Sequence, residues 1–153
     1  MAGKRELPDI PAKRVSLAGL VCQAGTAGME TQFFDEIVNL LKPSANEADR
    51  LEIERAAPKD YPVLAFDDLG RVTVRLFLGA SSDVALHVLA KIEEGMCLGD
   101  IELTTSIATG FIEGMISESD GYPGAWDKIE PFLGPESRNY AKAWIEFTSG
   151  AVT

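Results

Sequence analysis

Residues that often build catalytic and metal sites are scarce in this chain of 153 residues. It contains a single histidine, His87, and two cysteines, Cys22 and Cys97, which stand far apart. Zinc sites need ligands at short spacings, and secreted disulfide-rich domains are much denser in cysteine. We therefore expect no metal site and two reduced thiols, as in a cytoplasmic protein.

Motifs for phosphate binding and for nucleophilic catalysis are also missing. The chain has no Gly-x-x-x-x-Gly-Lys-Ser/Thr loop, no Gly-x-Gly-x-x-Gly turn and no Gly-x-Ser-x-Gly elbow. A Ser-His-Asp triad would require His87, which stands beside the apolar stripe of a predicted helix and suits packing or exposure better than catalysis. The sequence predicts a protein that is not an enzyme and binds no cofactor.

Long apolar runs are absent as well. No stretch approaches the roughly 20 apolar residues that span a bilayer. A basic pair, Lys13 and Arg14, precedes the short apolar segment 15–21, which resembles a signal peptide. That segment is interrupted by a serine and a glycine, and valine precedes Cys22 where a lipoprotein signal would carry a small residue. We therefore expect a cytoplasmic location.

Basic residues are outnumbered: 14 Lys and Arg stand against 24 Asp and Glu, for a formal net charge of −10. Residues 1–28 carry +2, so residues 29–153 carry −12. A surface of this sign repels nucleic acid and anionic membranes, whereas it attracts a basic protein. We expect no nucleic-acid and no membrane binding, and a protein partner that is basic. Solubility alone would also explain an acidic surface.

The composition and length of the chain are those of one globular domain. Hydrophobic residues make up 46% of the chain, and its length is sufficient for an ordinary core. Residues 1–28 combine two prolines and four glycines with little amphipathic pattern. They predict a flexible leader. Residues 29–153 predict one helical domain, in which apolar spacings of three and four mark a first helix over 30–42. A second helix, capped by Ser44 or Asn46, should end at Arg55.

The segment 63–78 supports two interpretations. Residues 71–78 partly alternate, and Asp67 to Gly70 could form the turn of a β-hairpin, which the periodicity alone favours. A helix would instead direct Leu69, Val72 and Leu76 toward a core. Because helical segments stand on both sides, we predict a helix and an all-α fold. An α+β domain with a hairpin at 63–78 is the alternative.

A helix that is capped by Ser81, Ser82 or Asp83 and carries apolar residues from Val84 to Met96 is followed by a helix with an apolar stripe from Leu103 to Ile116. The two predict a central helical hairpin. Asp100 should cap the second of them. Similar stretches, 92–96 and 112–115, occur in both helices and suggest HEAT-like stacking. Gly110 costs about 1 kcal/mol relative to alanine inside a helix, which close packing of another helix would explain.

Two shorter helices complete a predicted bundle of six or seven. Trp126, Ile129 and Phe132 fit the first of them, and Pro135 suits the first turn of the last. The packed side of the last helix is predicted to carry four residues: Tyr140, Ala143, Trp144 and Phe147.

Three motifs together resemble a family of small uncharacterised bacterial α-helical domains. They are the segment 66–71 (FDDLGR), the helix motif 108–115 (ATGFIEGM) and the turn 131–137 (PFLGPES), and the resemblance covers residues 30–149. It implies an all-helical fold, including a helix at 63–78, and no catalytic residues. Some members of the group look like immunity proteins of bacterial toxin systems, which implies an inhibitory function.

The acidic residues of the central hairpin are the predicted binding face. Neighbouring carboxylates on a helix point about 100° apart, so they favour a solvated surface over a catalytic or metal site. We predict a cytoplasmic, immunity-type inhibitor of a basic bacterial toxin. The alternatives are a self-assembling structural or adaptor module and a small carboxylate-dependent or metal-dependent enzyme. The residues of the predicted face are Glu93, Glu94, Asp100, Glu102 and Glu113.

Overall fold

A computed structural model describes residues 22–150, with side chains from Gly28 onward. This part of the chain forms seven helices and contains no strand, so the predicted all-α fold is confirmed. The fifth of these helices in chain order, α5, is continuous from residue 101 to residue 119. It consists of three segments: α-helical Ile101–Ser106, π-helical Ile107–Ile112 and α-helical Glu113–Ser119. The other six are α1 Cys22–Leu41, α2 Glu47–Arg55, α3 Pro62–Leu78, α4 Ser82–Cys97, α6 Ala125–Ile129 and α7 Pro135–Ser149.

The start of α1 differs from the prediction. The helix begins at Cys22, eight residues before the expected start at Glu30. Residues 22–28, assigned to the flexible leader, are therefore helical, and residues 1–21 of that predicted leader lie outside the described residues. The start of α2 is confirmed, because the Asn46 side chain accepts a hydrogen bond of 2.8 Å from the Asp49 N–H.

The segment 63–78 is helical, and the β-hairpin alternative is wrong. Pro62 stands in the first turn of α3, where its missing N–H has no intrahelical partner to lose. Three consecutive residues, Val72, Thr73 and Val74, are all buried. α3 is thus enclosed on more than one side, and burial of both Val72 and Val74 produced the strand-like alternation in the sequence.

Close packing of a second helix against Gly110 is confirmed, and that helix is α3. A Cβ at Gly110 would lie 2.4 Å from the Val63 carbonyl oxygen, and one at Gly70 would lie 2.2 Å from the Phe111 carbonyl oxygen. The backbones of α3 and α5 therefore approach each other in the π-helical part of α5. α4 and α5 form the expected antiparallel pair, although the closest neighbour of α5 is α3.

One level of the core brings four helices together. The Phe66 ring of α3 packs against Phe33 and Phe34 of α1, with ring centroids 6.3 and 5.5 Å away. A Cβ at Gly95 of α4 would lie 2.7 Å from Phe33 and 2.5 Å from Ile107 of α5. Glu36 of α1 also contacts Lys91 of α4, so these two helices run antiparallel. Val63 lies by Gly110 and Gly70 by Met115, so α3 and α5 run parallel. Since α4 and α5 are joined by a short turn as an antiparallel pair, α1, α3 and α5 start on the same side of this level, and α4 ends there. We name this side of the bundle the leader end, because residues 1–21 precede α1.

The predicted packed side of the last helix needs correction. Ser137 and Ala141 are the buried residues of α7, whereas Ala143 is exposed and Phe147 is 70% exposed. Tyr140 and Trp144 are partly buried. The small side chains of Ser137 and Ala141 allow α7 to approach the core closely. The prediction followed the aromatic residues of α7 instead, because their spacing is the stronger pattern in the sequence.

Candidate functional site

The structure divides the predicted acidic face into two groups. Glu93, Asp100 and Glu113 make hydrogen bonds inside the domain. Glu94 and Glu102 are exposed, one in the last turns of α4 and the other in the first turn of α5. The structure therefore leaves two of the five exposed: Glu102, and Glu94, whose carboxylate lies 3.6 Å from the Lys91 ammonium.

Glu93 fastens the start of α7 to α4. Its carboxylate accepts hydrogen bonds from the backbone N–H groups of Glu136 and Ser137, at 2.9 and 3.0 Å, and from the Ser137 hydroxyl at 2.8 Å. Partial burial alone would raise the pKa of Glu93, but these hydrogen bonds outweigh it and hold the pKa below its ordinary value. A Cβ at Gly134 would lie 2.3 Å from this side chain, so the turn before α7 is shaped to admit it.

Replacing Glu93 with glutamine is expected to lower the free energy of unfolding by about 1–2 kcal/mol. The amide can accept fewer of the three hydrogen bonds, and it loses the favourable interaction of a negative charge with a helix N-terminus. Chemical denaturation at pH 7 measures the difference. Glu94→Gln is the matched control, because the neighbouring side chain is 67% exposed. Equal stabilities of the two variants would show that Glu93 does not hold α7.

The other two internal residues are also committed to structure. Asp100 accepts a hydrogen bond of 2.8 Å from the Leu103 N–H and so caps α5 as predicted. Glu113 accepts a hydrogen bond from the Tyr140 hydroxyl and thereby joins α5 to α7. Burial, followed by this contact with Glu113, raises the pKa of Tyr140. Asp100 therefore stabilises the start of α5, and Glu113 stabilises the contact between α5 and α7.

Apolar side chains concentrate at the leader end. Ile101 is 80% exposed and Leu98 is 58% exposed in the turn between α4 and α5, while Tyr61 and Leu64 are 63% and 62% exposed at the start of α3. Together with Met29 and Val63, they are more than half of the large exposed apolar side chains among residues 28–150. Such a concentration on one side of a domain is typical of a contact surface.

Acidic residues border this apolar surface. Glu94 and Glu102 flank Leu98 and Ile101 along the chain, and Asp60 is exposed beside Tyr61. A cleft of about 530 Å³ opens at the same end between the first part of α1 and the loop before α3. Its lining residues are Gly28, Glu30, Thr31, Gln32, Asp35, Pro58 and Lys59.

A second charged group, which the sequence did not reveal, joins α2, α3 and α5. Arg75 contacts three carboxylates: Asp49 at 3.0 Å, Glu52 at 2.7 Å and Glu118 at 3.0 Å. Arg71 of α3 lies 2.9 Å from Asp67 and 3.5 Å from Glu118. The i,i+4 spacing of Asp67, Arg71 and Arg75 was the only available signal, and it gave no indication of partners on other helices.

Asp68, which neighbours this group on α3, has a raised pKa. Desolvation, followed by the neighbouring charges of Glu52 and Asp67, raises its pKa to about 6, and a hydrogen bond with Glu52 favours the same protonated form. Asp67 pairs instead with Arg71, so the adjacent carboxyls Asp67 and Asp68 do not converge, as the sequence predicted.

The chemistry available to these groups is that of charge pairing. A cleft of about 520 Å³ has Asp49, Arg75 and Tyr122 on its wall, but both charges are already paired with each other. In the described part of the chain, no group of three Asp, Glu, His or Cys side chains could hold a metal ion. His87 is exposed on α4, one of the two positions expected for it.

The fold and its surface define an acidic all-α domain with an apolar end. Among residues 22–150, no helix combines the length and apolarity needed to cross a membrane. The chain belongs to the family described as a domain of unknown function (DUF7674), whose model matches residues 34–149. The resemblance to an uncharacterised family is thus confirmed. No curated protein and no solved structure gives a significant match to the chain.

Proposed function

We propose that this chain is a non-catalytic binding protein that recognises a basic protein partner through its leader end. The observation that carries the proposal is the turn between α4 and α5. There, Leu98 and Ile101 are 58% and 80% exposed and stand between the exposed acids Glu94 and Glu102. An apolar centre with a charged border is the usual arrangement of a protein interface.

Several cations of the domain are engaged in ion pairs and are therefore not free to attract an acidic partner. Arg71 and Arg75 are engaged with carboxylates of α2, α3 and α5. Lys91 contacts Glu36 at 2.7 Å and lies over the Phe33 ring, 5.5 Å from its centroid. Residues 29–153 carry a formal net charge of −12, so the domain has a negative field at long range. Such a field speeds the encounter with a basic protein and favours that partner over acidic ones.

An immunity-type inhibitor fits this chemistry. The motifs that resemble uncharacterised bacterial helical domains, some of which look like toxin immunity proteins, suggest a basic toxin as the partner. By covering a basic functional surface of the toxin, the domain would block access to it without performing any chemistry. A cytoplasmic location, where a cell would need protection from its own toxin, belongs to the same proposal.

Replacing Ile101 with aspartate is expected to weaken partner binding at least tenfold, because it places a charge at the apolar centre of the contact. Folding should be preserved, since Ile101 is the first residue of α5 and an acid is favourable in a first helical turn. The measurement is capture from the native lysate by tagged wild-type and variant chains at low and high salt. Mass spectrometry then identifies and quantifies the retained proteins.

Leu51→Asp is the matched control, because Leu51 is an exposed apolar residue of α2. The proposal requires a basic protein that is retained by the wild type and the control, depleted by salt and lost with Ile101→Asp. Retention of that protein by all three chains would place the interface elsewhere. Recovery of the chain alone, as an oligomer, would favour a self-assembling module.

A further inference from the structure

We propose that a cleft at the end of the bundle opposite the leader end binds a small organic cation, an alkylammonium or alkylguanidinium group. The cleft has a volume of about 520 Å³ and lies where α3 ends and α4 starts. It is separate from the surface of the proposed function and does not depend on it. We name it the distal cleft, and its wall includes Asn46, Asp49, Arg75, Leu78, Ala80 and Tyr122.

A buried carboxylate in this wall retains a free acceptor. Asp49 is 5% exposed, and its Oδ1 accepts a hydrogen bond of 3.0 Å from Arg75 Nε. No described residue donates a hydrogen bond to its other oxygen, Oδ2. In the described part of the chain, the fully buried side-chain atoms without a partner belong to Ser119 and Arg138, so Oδ2 is reached by solvent. Because Asp49 lines the distal cleft, this oxygen is an acceptor that the cleft offers to a ligand.

The ion pairs behind the wall leave an excess of negative charge. Three carboxylates share the Arg75 guanidinium, and one of them, Glu118, also contacts Arg71. Asp67 is the fourth carboxylate of this network. Four carboxylates therefore meet two guanidinium groups, and the formal net charge of the network is −2. This excess repels an anionic ligand and attracts a cation.

The end of α3 adds partial negative charge to the same wall. α3 ends at Leu78, and the last carbonyl groups of a helix have no intrahelical donor. The Gly79 N–H donates to the Leu76 carbonyl at 3.2 Å, but no described residue donates to the Leu78 carbonyl. Leu76 and Leu78 both line the distal cleft. Free carbonyl groups at the C-terminus of a helix favour a cation.

The remaining wall suits an organic cation better than a metal ion. Nowhere in residues 28–150 could three Asp, Glu, His or Cys side chains hold a metal ion together. Tyr122 offers an aromatic ring, and its hydroxyl donates a hydrogen bond of 3.4 Å to Glu118. An aromatic face attracts ammonium and guanidinium groups. Leu76 and Leu78 provide apolar contact for the carbon chain of such a ligand, and the volume of the cleft is in the range of small-molecule sites.

NMR titration of the full chain with methylguanidinium and with butylammonium tests the proposal. The reporting amides are those of Gly79, Ala80, Ser81 and Tyr122, which line the distal cleft. N-methylurea is the neutral probe, because it has nearly the shape of methylguanidinium without its charge. The test variant is Ala80→Lys, which places an ammonium group of the chain itself at the cleft. Ala80 is exposed after the end of α3, so the fold should be preserved, and Ala90→Lys at an exposed position of α4 is the matched control.

We expect both cations to cause saturable shifts at the four reporting amides in the wild type and in the Ala90→Lys variant, and N-methylurea to cause none. In the Ala80→Lys variant, the Kd of both cations should rise at least fivefold, because the new ammonium group competes for the same acceptors. Equal Kd values in the two variants would overturn the proposal. So would shifts that do not saturate and are as large at Glu94 and Glu102 as at the cleft, since the cations would then only surround an acidic domain.

A further probe, N-acetylargininamide, separates two sources of the cation. Tighter binding of this probe than of methylguanidinium would assign the cleft to a basic side chain of a protein, because the amides of a peptide then add contacts. Equal or weaker binding would assign it to a free amine or guanidine. Both results keep the same cationic group in the distal cleft. Capture of a partner through the leader end is measured separately, so a failure here leaves the proposed function standing.

Discussion

Replacing Gly70 with alanine is expected to lower the free energy of unfolding by about 2–3 kcal/mol. A Cβ at this position would lie 2.2 Å from the Phe111 carbonyl oxygen and 3.2 Å from the Met115 backbone nitrogen. Both neighbours are backbone atoms in the middle of α5, so they cannot move aside as a flexible side chain does. α3 and α5 must separate instead, and the side chains packed between them lose contacts.

Thermal and denaturant unfolding measure this effect, which corresponds to a fall in the melting temperature of roughly 5–10 °C for a domain of this size. Gly28→Ala is the matched control, because Gly28 lies in α1 and no atom stands within 4 Å of the added Cβ. There, alanine should stabilise the helix by about 0.5 kcal/mol. A stabilising effect of Gly70→Ala would mean that the helices are not held at this distance.

Part of this contact could be predicted from the sequence, and part could not. A glycine in the middle of a strongly patterned helix is unfavourable by itself, so Gly110 indicated that another helix comes close. Gly70 stood in a segment that also matched a β-hairpin turn, where glycine is expected for a different reason. The identity of the partner helix depends on contacts between distant segments, which local spacing does not contain.

The acidic face, too, could be predicted from the sequence only in part. Asp100 precedes a clear apolar stripe and could be recognised as a helix cap. Glu93 also caps a helix, but its target is α7, whose first residues come more than 40 positions later. In the sequence, Glu93 and Glu94 look equivalent, and only the position of α7 separates a structural carboxylate from an exposed one. Composition therefore identified the acidic surface, but it could not tell which acids remain exposed.

Exposure of apolar residues was equally hard to foresee. Leu98 and Ile101 flank a predicted turn, and their hydrophobicity alone would place them in the core. The short connection between α4 and α5 instead turns them outward at the leader end. The same holds for α7. Helical spacing predicted that Trp144 and Phe147 are buried, but Phe147 is 70% exposed. Periodicity gives the direction of a side chain relative to its helix, and tertiary packing decides whether that direction faces the core.

Replacing Arg75 with methionine is expected to lower the free energy of unfolding by about 3 kcal/mol. The guanidinium is the contact that Asp49, Glu52 and Glu118 share, and Asp49 is only 5% exposed. Methionine retains most of the apolar stem of arginine, so the loss comes from the charge. Without Arg75, one buried carboxylate and two partly buried ones, from α2 and α5, face each other unpaired, and Asp68 already meets Glu52 nearby.

Denaturant unfolding of Arg75→Met, beside the control Arg50→Met on the exposed surface of α2, gives the size of the effect. A double-mutant cycle with Asp49→Leu then tests its cause. If the loss arises because Asp49 is left buried and unpaired, removing that carboxylate as well should recover about 1–2 kcal/mol relative to the sum of the single changes. Strict additivity would contradict this explanation, since the two residues would then stabilise the domain through separate contacts rather than through their ion pair.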